Sequence, residues 1–159
     1  AFAMTGWRIG YACAPEALDK AMLKVHQYTM LCAPRVAQHA AIAALAGGFQ
    51  DDFASVGQMR AEYDKRRRFL VKSFNDLGLT CFEPRGAFYA FPSVEATGLT
   101  GEEFVERLLK EEQVAVVPGN AFGECGDYHV RCSYATGMRE LQEAVARIAR
   151  FTEKLRKNR

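Results

Sequence analysis

From Asp51 to about Leu77 the chain carries its clearest pattern. Phe53, Val56, Met59, Tyr63, Leu70, Phe74 and Leu77 recur at three- and four-residue steps, broken by a charged gap at Arg66 and Arg67. That spacing lines apolar side chains along one stripe of an α-helix. Asp51 or Asp52 is suited to cap its start, and Gly78 to end it. At ~1.5 Å per residue such a helix runs roughly 40 Å, the width of a whole domain. A chain of 159 residues built around it has room for one domain, or for one domain and a piece of another.

Shorter elements flank this helix. Arg8 to Cys13 reads as a strand, and Pro15 opens a helix through about Val25. After a junction at Tyr28 to Ala33, Pro34 starts an Ala-rich helix that Gly47 and Gly48 should stop. Downstream, Leu79–Glu83 and Ala87–Phe91 read as two strands joined by a turn at Pro84-Arg85-Gly86. Thr100 and Glu103 form a capping box for a helix through about Glu112. Val114–Val117 and Tyr128–Ser133 are further strands. Gly137 to about Lys157 is a last helix, with Leu141, Val145, Ile148, Thr152 and Leu155 on one face and Glu143 and Arg147 paired on the other. The sum is an α/β or α+β arrangement, a layer of short strands covered by helices. The composition changes near Tyr28 to Pro34, so a boundary is expected there, dividing 1–30 from 31–159. The first piece gives a lone strand and helix, which cannot bury themselves without partners.

Composition excludes several classes. With 49% hydrophobic and 25% charged residues the profile is that of an ordinary soluble protein. A net charge of +2 is too small to argue for nucleic acid or a membrane surface. The basic end, Lys154, Arg156, Lys157 and Arg159, reads as the solvated last turn of a helix, where cations suit the dipole. The apolar stretch from Leu31 to Phe49 is broken by Pro34, Arg35, Gln38 and His39, so it reads as a packed helix and not a membrane span. Cys13, Cys32, Cys81, Cys125 and Cys132 form no Cys-x-x-Cys pair, and the three His do not sit at metal-ligand spacing beside them. No metal is expected, and the cysteines read as small buried thiols of a reducing cytosol.

Two arginines stand out chemically. Thr5-Gly6-Trp7-Arg8 places a forked cation just after a small-residue turn, where Gly6 lets a ligand or a backbone come close. A strand-edge arginine facing water is the alternative. In His129-Val130-Arg131-Cys132-Ser133-Tyr134-Ala135, alternation puts Val130 and Cys132 toward the core and Arg131 on the other face with His129 and Ser133. A planar guanidinium there suits a carboxylate ligand, or else a structural salt bridge. Pro84–Tyr89 and Val117–Gly123 are glycine-containing turns that flank apolar strands.

Taken together in order, four segments carry a resemblance. They are Phe2-x-Met4-x-Gly6-Trp7-Arg8-x-Gly10-Tyr11, Pro84-x-Gly86-Ala87-Phe88-Tyr89, Val117-x-Gly119-x-x-Phe122-Gly123 and Arg131-x-Ser133-Tyr134-Ala135. The chain resembles the C-terminal part of class I/II aminotransferases, fold-type I enzymes that use pyridoxal 5′-phosphate, and the resemblance covers its whole length. It implies a C-terminal small domain, a short and mostly antiparallel sheet covered by helices. One strand and helix left from the large cofactor-binding domain precede it. It implies that Arg8 binds the cofactor phosphate and that Arg131 grips the substrate α-carboxylate. Phe88, Tyr89 and the Val117–Gly123 loop would lie in the domain that closes over the substrate. The family's Schiff-base Lys falls at the position immediately before Ala1, so no catalytic residue is expected in this chain and the 159 residues alone should be inactive.

The parent enzyme implied is a cytoplasmic homodimer that transfers an amino group between an amino acid and a 2-oxo acid. A different reaction at the same cofactor, such as C–S β-elimination, shares the carboxylate arginine and stays open. So does a cofactor-free dimerisation or regulatory module, although Arg8 and Arg131 would then have no reason to match the pattern together.

Overall fold

The computed structural model describes residues 1–157, and the chain divides into two compact units, Ala1–Met59 and Arg60–Arg159. Arg159, one of the four basic residues at the end, lies outside the described residues. The boundary expected from composition, between residues 30 and 31, falls inside the first unit at the junction of its two helices.

The first unit opens with a 3-10 turn, Thr5–Trp7, followed by α1 (Glu16–Thr29) and α2 (Arg35–Gln50). The strand expected over Arg8–Cys13 does not form. Arg8 takes a left-handed backbone conformation (φ 53°), and no strand in this unit offers its ladder a partner. Pro15 and Pro34 sit at the N-caps of the two helices, as their fixed φ favours. α1 runs four residues beyond the expected Val25 and buries none of its side chains. Tyr28, at its end, is 91% exposed.

Gly47 and Gly48 do not stop α2, which continues to Gln50. Gly48 has a spatial role instead: a Cβ there would stand 2.4 Å from the Phe53 ring. That ring folds back over the helix end through left-handed Asp52 and Phe53 (φ 52° and 55°), with the Phe53 N–H donating to Gly48 O at 2.8 Å. The ring packs against Phe49 at 5.2 Å and Phe2 at 6.1 Å. This turn occupies the place where an aspartate cap was expected, so α3 (Ala54–Asp76) starts at Ala54.

The second unit holds the core. Leu70 and Phe74 of α3 are buried, and Gly78 (φ 74°) ends the helix as the sequence required. Residues 79–83 are not a strand. Asn75 captures the backbone of Cys81 on both sides, accepting from its N–H and donating to its C=O, each at 3.0 Å, so neither group joins a ladder. The expected hairpin therefore reduces to one short strand, β1 (Tyr89–Ala90).

α4 (Gly101–Glu112) follows, with both hydrogen bonds of the Thr100–Glu103 capping box in place. β2 (Val117–Pro118), β3 (Val130–Ser133) and α5 (Met138–Lys157) complete the unit. The sheet has the order β1-β3-β2 with both pairs antiparallel. On its inner face Ala90 pairs with Cys132, beside buried Val130. Leu141, Ile148, Phe151 and Leu155 of α5 are buried, as are Phe104 and Leu108 of α4. Phe104 and Phe151 meet edge-on at 5.2 Å. The Glu143–Arg147 pair forms as expected, at 2.8 Å. Cys81 and Cys132 are buried as the composition suggested, but Cys13, Cys32 and Cys125 are exposed, lying outside the sheet and helices α1–α5.

Candidate functional site

Arg131 stands in the middle strand of the sheet. Val130 and Cys132 turn inward, so Arg131 lies on the opposite face with Ser133. Tyr89 in β1 is the cross-strand partner of Ser133, which makes it the diagonal neighbour of Arg131 on that face. On the other flank Val117 is Arg131's direct partner, and the chain continues from β2 into a 3-10 turn, Gly119–Phe122.

The two flanks deliver aromatic rings. The Arg131 guanidinium carbon lies 4.5 Å from the Tyr89 ring centroid and 4.3 Å from that of Phe122. Among the described residues no carboxylate lies within ion-pair distance of Arg131, and no side-chain hydrogen bond is drawn from it. Behind it, burial pushes the Cys132 thiol up to about 12, so the inner face remains neutral.

The loop that carries Phe122 is tightly built. Gly119 N–H donates to His129 O at 2.8 Å, and Gly101 N–H donates to Asp127 O at 2.6 Å. A Cβ on Gly101 or Gly119 would stand 2.4 Å or 2.7 Å from the carbonyl oxygen of His129, so only glycine admits this approach. Phe91 stacks on His129 at 5.2 Å and meets Phe122 edge-on at 6.3 Å. Phe88 turns to the other side, stacking on Tyr63 at 5.9 Å, while its carbonyl accepts from Tyr134 N–H at 2.9 Å. Ala87, and not Gly86, takes the left-handed turn position (φ 55°), and its carbonyl accepts from the Tyr134 hydroxyl at 3.2 Å.

Of the residues singled out in the sequence, Tyr89, Phe122 and Arg131 are therefore brought together. The Phe91–His129 stack and the close approach of Gly101 to the His129 carbonyl carry no signal in the sequence pattern. Alternation in 128–133 places His129 on Arg131's face, but nothing in the sequence pairs it with Phe91.

Arg8 belongs to the other unit. Its Nη1 donates to Thr5 O at 3.0 Å, closing the Thr5–Trp7 turn around its own side chain. The remaining guanidinium donors face solvent, with no acidic group of the described residues in ion-pair reach. A Cβ on Gly6 would meet nothing within 4 Å, so the approach to this cation is open. A lone exposed cation beside an open turn fits a phosphate group. No cluster of histidine, cysteine or acidic residues able to hold a metal is present among the described residues. Among the described residues no helix is long and apolar enough to cross a membrane.

Comparison with known proteins places this geometry in context. The profile of the family Aminotransferase class I and II matches residues 1–148. YugH of Bacillus subtilis (strain 168) is 53% identical over 154 residues, 97% of this chain and 39% of that protein. The aspartate aminotransferase of Pyrococcus abyssi is 46% identical over 147 residues, 92% of this chain and 37% of that one. The crystal structure of an aromatic aminotransferase from Pyrococcus horikoshii OT3 superposes with a TM-score of 0.85 at 44% identity, over 96% of this chain and 40% of that one. The chain thus spans about two fifths of the length of the relatives it matches.

Proposed function

Given that the chain belongs to the class I and II aminotransferases, we propose that it forms the C-terminal part of a pyridoxal 5′-phosphate-dependent enzyme. That enzyme moves an amino group between an amino acid and a 2-oxo acid. The observation that carries this reading is Arg131. Its charge is met by no carboxylate of the described residues, and it stands on the sheet face opposite the core between the rings of Tyr89 and Phe122. A planar fork left unpaired in this way suits the α-carboxylate of an amino acid, which accepts two parallel hydrogen bonds.

Arg8 would hold the cofactor phosphate, as a permanent cation beside an open turn. When bound, the cofactor supplies an electron sink for the pair left at Cα as its proton departs. Arg131 fixes the carboxylate and so orients the Cα–H bond, while the Gly119–Phe122 turn and Tyr89 cover the carboxylate end. We assign no acid or base to this chain.

In this reading residues 1–30 belong to the large cofactor-binding domain and residues 31–159 to the small domain. The absence of buried residues in α1 supports a segment whose partners lie elsewhere in the complete enzyme. Five free thiols fit a reducing compartment, which supports the cytoplasm. A homodimer rests on the family resemblance alone. The test is product analysis on the complete enzyme with an amino acid and 2-oxoglutarate. Transfer gives a 2-oxo acid and glutamate in equal amounts, whereas release of ammonia would assign it to elimination chemistry instead.

A further inference from the structure

We propose that Tyr89 and Phe122 are positioning residues for Arg131, holding its guanidinium by the faces so that its N–H edge is presented to the substrate carboxylate. The inference rests on reading Arg131 as the carboxylate anchor. It goes beyond that reading by naming what holds the anchor.

Arg67 is fixed through its edges: it donates from Nε and Nη2 to Asp64 at 3.0 and 2.6 Å, and from Nη1 to Glu83. An arginine held that way has its fork consumed. Arg131 is held differently, with ring centroids 4.3 and 4.5 Å from its Cζ, well inside cation–π range. All five guanidinium donors lie in the plane of the group, so contact with ring faces stabilises the cation without using its hydrogen bonds. The rings come from elements flanking β3 on opposite sides, β1 and the turn after β2.

Both rings are themselves placed by structure. Tyr89 is fixed by its register with Ser133. Phe122, although 51% exposed, is seated by Phe91 at 6.3 Å and by a turn whose Gly119 is hydrogen-bonded to His129. A long side chain held in this way before the ligand arrives loses less freedom on binding it.

The test is a double-mutant cycle in the complete enzyme, using whichever of the twenty amino acids proves its best substrate. Phe122→Leu and Tyr89→Leu keep apolar bulk and remove the ring face. Each should raise KM about 2- to 30-fold, the span of a cation–π contact, with kcat moved less because the carboxylate is gripped equally in ground and transition states. Tyr89→Phe and Phe122→Tyr keep the face and should stay near wild type. In an Arg131→Ala background neither ring variant should lower kcat/KM further. Losses that persist in full in that background would overturn the proposal, since the rings would then act otherwise than through Arg131. Ring variants that leave KM unchanged while Arg131→Ala raises it steeply would also overturn it, with the carboxylate reading intact. If Arg131→Ala itself leaves KM unchanged, the carboxylate reading and the proposal built on it both fall.

Discussion

Gly126 and Gly119 lie against each other so closely that a Cβ on Gly126 would stand 2.2 Å from the carbonyl oxygen of Gly119. This contact closes the loop that carries Phe122 to Arg131. It makes that loop a rigid part of the site, and it gives glycine at these two positions a steric reason.

Gly126→Ala should accordingly destabilise the protein by about 1–3 kcal/mol, since the backbone must shift to admit the methyl group. Gly57→Ala is the contrasting case. Gly57 is exposed within α3, and nothing lies within 4 Å of its virtual Cβ. There alanine should stabilise by about 0.5–1 kcal/mol through helix propensity and a less flexible unfolded chain. Urea midpoints of the two variants should move in opposite directions.

Asn75 ties residues 79–83 to the end of α3. Its amide also donates to Val71 O at 2.9 Å, besides its two bonds to Cys81. Asn75→Ala leaves the backbone of a buried residue without partners and should cost about 2–3 kcal/mol. Hydrogen exchange at the Cys81 amide should accelerate much more than at Leu108 in α4.

Hydrogen bonds from Arg67 hold the Asp64 and Glu83 carboxyls below their ordinary values of 3.8 and 4.5. A carboxylate whose pKa is depressed by folding contributes stability that is present above its unfolded pKa and lost as pH falls through its folded one. Thermal midpoints should therefore be nearly flat from neutral pH down to about 5 and decline below about 4.5. Arg67→Met should flatten that acid decline and lower the midpoint at pH 7.

Cysteine accessibility is also decisive. Cys13, Cys32 and Cys125 are exposed, whereas Cys81 and Cys132 are buried and burial pushes both thiols up, Cys132 to about 12. Alkylation at pH 8 should add three groups to the native chain and five in denaturant. Early modification of Cys132 would contradict the placement of β3.

How much of this was legible in the sequence depended on whether a segment's structure is set locally. α4 and α5 were read to within a residue or two, because a capping box and an apolar stripe are properties of the segment itself. The alternation in β3 gave the facing of Arg131 directly. Residues 79–83 were misread because Asn75, a residue of another element, captures the backbone that a strand would use. Arg8–Cys13 has strand-forming composition but no partner in its unit. Gly48 looked like a helix stop, yet its lack of a side chain makes room for Phe53. The facing of Arg131 was legible from the period of β3, whereas the nearness of Tyr89 follows from the register of β1 with β3. That Phe122 reaches Arg131, and that Phe91 stacks on His129, depends on a loop path fixed by glycine contacts and visible only in three dimensions.

In the proposed reading Arg131 serves the substrate and not the cofactor, and comparing both affinities in one variant separates the two roles. In the complete enzyme, Arg131→Ala should weaken amino-acid binding by about 100-fold or more, as expected when one partner of a hydrogen-bonded charge pair is removed. Affinity for pyridoxal 5′-phosphate should stay within about 3-fold, since Arg131 makes no contact with the cofactor in this reading. Equal losses for the two ligands, or an amino-acid affinity that does not change, would contradict the account.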